Sequence, residues 1–143
     1  MPLESLPVEF LFTMTANVSA PTMIQGGPQG SRLIVSVPAG TFEGPKLRGT
    51  VVPHSGGDWV TLRPDGSMKL DVRLTLQTDD GAHILVTYTG IGARAADGST
   101  KVYSTPLFET GAEKYAWLNT VQAVGIGSTG PNGVTYEVYA LRA

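Results

Sequence analysis

The sequence contains no cysteine. That absence excludes disulfides, thiolate zinc sites, iron-sulfur clusters and cysteine nucleophiles together, so the core holds without staples. Histidine is nearly absent: His54 stands in a Pro-His-Ser-Gly-Gly turn and His83 beside Asp80-Gly81, in neither a His-x-His nor an HExxH spacing, and no metal centre is expected. Charge is sparse at 15% of residues, with ten Lys plus Arg against twelve Asp plus Glu and a net charge of −2. A protein that tracks phosphates is basic, so nucleic acid is not an expected partner. No apolar run approaches the roughly 20 residues of a membrane span, and Met1 to Leu11 carries Glu4 and Glu9 where a secretory signal needs a basic start and an apolar stretch. No membrane association and a cytoplasmic location are therefore expected, and the Asn17-Val18-Ser19 sequon has no role there.

Among what is present, 18 glycines and 10 prolines fall as punctuation between short apolar runs. Strands are expected at 8–17, 31–38, 46–53, 58–63, 68–78, 83–94, 101–110, 119–127 and 133–142, with a helical turn only at 112–118. At 143 residues the chain suits one domain, 1–143, that buries about two-thirds of its unfolded surface. About nine strands without crossover helices predict an all-β fold: an antiparallel β-barrel, lipocalin-like, or a closed sandwich.

Asp80-Gly81 reads as a two-residue type I′ turn, which sets Asp79 against Ala82. That register places Arg73 across from Tyr88, Asp71 from Gly90, Thr75 from Val86 and Gln77 from Ile84, on one mixed face. Leu70, Val72, Leu74 and Leu76 then form the apolar face with Ile91, Thr89, Thr87 and Leu85.

Gly125-Ile126-Gly127-Ser128-Thr129-Gly130 matches the dinucleotide pattern GxGxxG. Pro131-Asn132-Gly133 follows where a phosphate-binding helix would have to begin, so a glycine-rich hairpin is expected and no nucleotide cofactor. No Gly-x-Ser-x-Gly elbow occurs. Asp71 and Arg73 project from one strand face, with Tyr88 as the expected neighbour; a carboxylate held by a guanidinium and a phenol can take a proton from a hydroxyl and return it. The same spacing also describes an outward salt bridge worth under about 1 kcal/mol. Glu43 and Glu109 sit beside aromatic and glycine residues, where they either cap turn N–H groups or face a ligand. Trp59, Tyr115 and Trp117 are stacking surfaces for a flat ligand or large pieces of core.

Together Gly40-Thr41-Phe42-Glu43-Gly44-Pro45, Gly57-Asp58-Trp59, Arg63-Pro64-Asp65-Gly66, Leu70-Asp71-Val72-Arg73, Thr78-Asp79-Asp80-Gly81, Phe108-Glu109-Thr110-Gly111 and Tyr115-Ala116-Trp117-Leu118-Asn119 carry an end-to-end resemblance. The chain resembles the bacterial and fungal family labelled domain of unknown function 3237. That resemblance implies an antiparallel β-barrel with no single established activity; certain fungal members are cofactor-free cyclases that add a hydroxyl across an alkene to close an ether ring. It departs from such relatives between Gly92 and Lys101, where a short turn replaces longer insertions. The expected function is a lyase, hydratase or cyclase that needs no cofactor or metal and acts on a small-molecule substrate in a barrel pocket. Asp71 would be the base, Arg73 its partner and Tyr88 a proton donor, while Trp59, Trp117, Glu43, Glu109 and Asn119 bind substrate. The alternative is a non-catalytic protein that holds a hydrophobic metabolite. Apolar antiparallel sheets also suggest a homo-oligomer.

Overall fold

The computed structural model describes residues 1–131 and 133–142. Its strands are β1 Val8–Asn17, β2 Thr22–Gly27, β3 Gly30–Ser36, β4 Ala39–Glu43, β5 Arg48–Val51, β6 Gly57–Leu62, β7 Met68–Thr78, β8 His83–Arg94, β9 Thr100–Ser104, β10 Leu107–Glu109, β11 Ala123–Gly130 and β12 Gly133–Leu141, with one 3₁₀ helix at Glu113–Thr120. All strand-to-strand ladders between these elements are antiparallel. Eight strands close a ring in the order β7-β8-β9-β11-β12-β1-β4-β5, and β6, β3 and β2 continue from β7 as a side leaf. The expected antiparallel barrel is borne out.

One edge of β7 serves two neighbours: β5 pairs with 76–78 and β6 with 68–73. The leaf therefore leaves the ring partway along the longest hairpin. Two strands escaped the sequence pattern, β2 and β4, because Thr, Gly and Pro surround them. The expected strand at 101–110 divides into β9 and β10 at Thr105-Pro106, since proline lacks the ladder's N–H.

The interior is a packed core. Phe12, Phe42, Leu74, Leu76, Ile84, Leu118 and Val102 are all nearly inaccessible, and Phe12 packs edge-to-face on Phe42 and Phe108. The 3₁₀ helix contributes Tyr115 and Leu118 to this core. It is held by Asp80, whose carboxylate accepts from Lys114 Nζ at 2.7 Å and from the Tyr115 hydroxyl at 3.0 Å, and also from Thr78 Oγ1.

Three hairpins use the same loop: Arg63–Ser67, Thr78–Ala82 and Ala95–Ser99. In each, the first residue's N–H donates to the fifth residue's carbonyl, and a glycine in the fourth place (Gly66, Gly81, Gly98) has φ between 86° and 91° and donates back to the first. This is the three-residue hairpin loop ending in a left-handed glycine, not the two-residue type I′ turn. At Asp80-Gly81 the extra loop residue shifts pairing by one. Val72, not Arg73, lies opposite Tyr88, and Asp71 lies opposite Thr89. Because side chains alternate, the shift moves Tyr88 to the other face.

The GxGxxG segment is strand β11, followed by strand β12, as a glycine-rich hairpin requires; Asn132 lies outside the described residues. Its outward Ile126 is half exposed, while its inward glycines make room. A Cβ at Gly127 would stand 2.5 Å from the Tyr136 ring, and one at Gly125 2.5 Å from Ser104 Oγ. Gly90 and Gly92 repeat the pattern on β8 around outward Ile91.

Two outcomes follow. Gly127→Ala must displace the Tyr136 ring, and thermal melts should show a loss of about 1–3 kcal/mol. The Asp80 carboxyl is held well below the usual carboxylate range by its hydrogen bonds to Lys114, Thr78 and Tyr115. Its stabilisation is present above the unfolded value of about 3.9 and is lost as pH falls below it. Asp80→Asn should therefore show a shallower loss of stability than the native chain when melts are compared on going below about pH 4.

Candidate functional site

A row of paired residues crosses the inner sheet face from β3 to β8: Val35 faces Asp58, Asp58 faces Val72 and Val72 faces Tyr88. Paired residues share a face, so Asp58 and Tyr88 project together with only a valine between them. Tyr136 comes from β12 across the barrel and packs edge-to-face on Tyr88, with centroids 5.5 Å apart. The Tyr136 ring needs the bare backbone of Gly127 beside it. Below the tyrosines, Phe12, Met14, Val86, Ser104, Pro106 and Val138 surround a cavity of about 10 Å³. That is no more than one water, so the space beneath the tyrosines has no room for an organic molecule.

Asp58 bends back into its own ladder. Between Asp58–Val72 and Thr61–Lys69 the β6–β7 pairing is interrupted, and the Asp71 N–H donates to Asp58 Oδ1 at 3.0 Å. The carboxylate thus replaces a main-chain carbonyl as acceptor. Burial pushes the Asp58 carboxyl up to about 6, against the lowering effect of the Asp71 N–H and with a smaller push from the Asp71 charge. Burial likewise raises Tyr88 well above its ordinary value, with Tyr136 and then Asp58 adding to it, and raises Tyr136 to about 12. Both phenols stay protonated at neutral pH. The site offers a carboxylate poised near neutrality beside two phenolic donors, on a sheet face otherwise carrying Leu33, Val35, Val60 and Leu70. Among the described residues no group of His, Cys, Asp or Glu is arranged to hold a metal ion.

The residues singled out from sequence do not assemble at one place. Tyr88 is buried inside. Asp71 and Trp59 share an outer groove with Gln29, Arg32, Thr61, Lys69 and Thr89, so the expected contact of Asp71 and Arg73 with Tyr88 is corrected by the register. Arg73 is exposed on that outer face, opposite Thr87 and Gly57. Glu43 lies on β4 beside a separate groove with Phe10, Thr13 and Thr41. Glu109, Trp117 and Asn119 lie around β10 and the 3₁₀ helix. Trp117 sits 5.3 Å beneath Lys46 Nζ. The Asn119 amide is occupied by Thr110, accepting from its N–H at 2.9 Å and donating to its carbonyl at 3.0 Å. Asp58 and Tyr136 were missed. The signal for Asp58 was the hairpin loop: once Tyr88 is turned inward, its strand neighbours bring Asp58 onto the same face.

A group whose folded value lies above its unfolded one favours folding most when protonated. Asp58 therefore stabilises fully below about pH 4, and that contribution is lost as pH rises through about 6. Asp58→Asn keeps an acceptor for the Asp71 N–H, and denaturant titration should find it more stable than the native chain at pH 8 by on the order of 1–2 kcal/mol. The difference should vanish near pH 4.

A family model described as protein of unknown function (DUF3237) matches residues 6–141. The hydroalkoxylation enzyme phnH of Penicillium herquei is 32% identical over 126 residues, spanning 87% of this chain and 74% of that protein. A crystal structure of an enzyme from Penicillium herquei superposes with a TM-score of 0.78 at 30% identity, covering 99% of this chain and 98% of the other. A beta-barrel-like protein from Acinetobacter baumannii AYE gives a TM-score of 0.90 at 28% identity over 99% of each chain. With almost its full length matched by that family model, the chain belongs to the DUF3237 family.

Proposed function

We propose that the protein is a cofactor-independent enzyme that adds a hydroxyl or water across an activated alkene, with Asp58, Tyr88 and Tyr136 as its acid-base set. The observation that carries this reading is the placement of a half-buried carboxylate and two buried, protonated phenols on the inner face of the sheet. The name of the fungal relative, a hydroalkoxylation enzyme, supports the reaction class.

Asp58, with a value of about 6, is mostly ionised at neutral pH and suited to act as a general base. As it takes the proton of the attacking hydroxyl, the oxygen bonds to the β-carbon of an enone and the alkene electrons move to the carbonyl oxygen. Tyr88 or Tyr136 donates a hydrogen bond to that developing enolate. The proton on Asp58 then returns to the α-carbon, so atoms and charge balance without a co-reactant. Val35 and Leu33, half-buried on β3, supply apolar wall beside the carboxylate.

Catalytic amounts of protein incubated with a panel of hydroxy-enones should give cyclic ethers, with kcat rising through about pH 6 to a plateau about one unit higher. Asp58→Asn should lower kcat by about 10²–10⁴-fold, and Tyr88→Phe by less, since Tyr136 remains. Full activity in Asp58→Asn, measured by chromatography of the products, rejects the assignment.

A further inference from the structure

We propose that the groove on the outer face of β3, β6, β7 and β8 is a second binding site, for a small hydroxylated aromatic carboxylate. It lies on the opposite face of β6 and β7 from Asp58 and does not rest on the reading of that site.

Two adjacent rows of residues form it. In the first, Arg32 faces Thr61, Thr61 faces Lys69 and Lys69 faces Ile91. In the second, Ile34 faces Trp59 and Asp71 faces Thr89, with Trp59 and Asp71 lying side by side across the interrupted part of the β6–β7 ladder. Alternation puts both rows on one face, two residues or about 7 Å apart. Gln29, from the β2–β3 turn, also lines it, and the groove holds about 280 Å³. That is the lower end of ligand-pocket size and suits a single ring.

The chemistry is divided along the groove. Arg32 and Lys69 flank Thr61, and Arg32 Nη1 donates to Thr61 Oγ1 at 2.7 Å, which orients the guanidinium and leaves its other donors available. Among the described residues the four ion pairs are Lys46–Glu9, Arg48–Asp79, Lys114–Asp80 and Arg142–Glu9, so Arg32, Lys69 and Asp71 have no ion-pair partner. Two cations two strands apart match a carboxylate placed between them. About 7 Å away, Trp59 is 41% exposed and offers a stacking face, and the Asp71 carboxylate is an acceptor for a ring hydroxyl. A benzene ring with a carboxylate and a para hydroxyl spans that same separation. An aliphatic acid would leave Trp59 unused, and an unhydroxylated aromatic acid would face Asp71 with no donor.

Isothermal titration calorimetry with 4-hydroxybenzoate tests this, with two-dimensional NMR following the Trp59 indole. The expected Kd is about 0.1–1 mM, in keeping with ten non-hydrogen atoms. Benzoate and phenol should each bind about tenfold more weakly, and raised salt should weaken the acids but not phenol. Arg32→Gln, which removes the guanidinium and its charge, should cost about tenfold, and Trp59→Ala should abolish binding. Asp71→Ala should remove the preference for 4-hydroxybenzoate over benzoate. Asp58→Asn should bind like the native chain, so loss of catalysis there and loss of this site are separable. Absence of binding up to about 10 mM, or binding that Arg32→Gln and Trp59→Ala leave unchanged, overturns the proposal.

Discussion

The register of the β7–β8 hairpin decides which side chains occupy the barrel. These are the two longest strands, and β7 alone reaches both the ring and the leaf. One extra residue in the loop, with Gly81 in the left-handed region, places Leu70, Val72, Leu74 and Leu76 inside together with Ile84, Val86 and Tyr88. With any odd shift of that pairing, the inward leucines would share a face with Leu85, Thr87 and Thr89. The hairpin tip has a second hold, since Asp80 ties it to Lys114 and Tyr115 and thereby fixes the 3₁₀ helix whose Leu118 fills the core.

This arrangement separates the molecule into two ends of different composition. Around Phe12, Phe42, Phe108 and Leu118 the barrel is filled by large apolar groups. Toward the leaf, glycines stand at inward positions 90 and 92 of β8 and 125 and 127 of β11, and the space they free is taken by the Tyr136 ring, Ser104 and the side chains of Met68, Leu70 and Val102. Polar groups buried there acquire displaced proton affinities because water is largely excluded. A single residue step along β6 or β7 then changes the surface reached: Asp58 and Val72 face inward, Trp59 and Asp71 outward.

The barrel itself was legible in the sequence. Val8 to Asn17, Met68 to Thr78 and His83 to Arg94 have the alternation and flanking turns that make a strand readable, and their bounds agree with the structure. The site was not, for a local reason with a global effect. Asp-Gly is shared by two-residue and three-residue hairpin loops, and the sequence contains the latter three times, at Asp65-Gly66, Asp80-Gly81 and Asp97-Gly98. Local preference cannot separate the two, whereas burial of Leu76 and Ile84 on one face does. Asp58 was hidden for a different reason: its acceptor role depends on an interruption in the ladder that only the assembled β6–β7 pair displays. Asn119 illustrates the converse, a polar residue in a distinctive block whose amide serves the backbone of Thr110.

Ring closure satisfies the main-chain groups of eight strands, but the leaf ends in β2, which has a neighbour on one side only. Such an edge is a template for intermolecular pairing, and Met23 and Ile24 there are half exposed. Pro21 and Pro28 bracket the strand, and its pairing with β3 is irregular between Ile24 and Gly27. An incoming chain therefore meets a regular template only over Thr22 to Ile24, too short to nucleate an extended cross-strand assembly. The protein carries a side leaf without carrying the aggregation hazard that a long, flat open edge would bring.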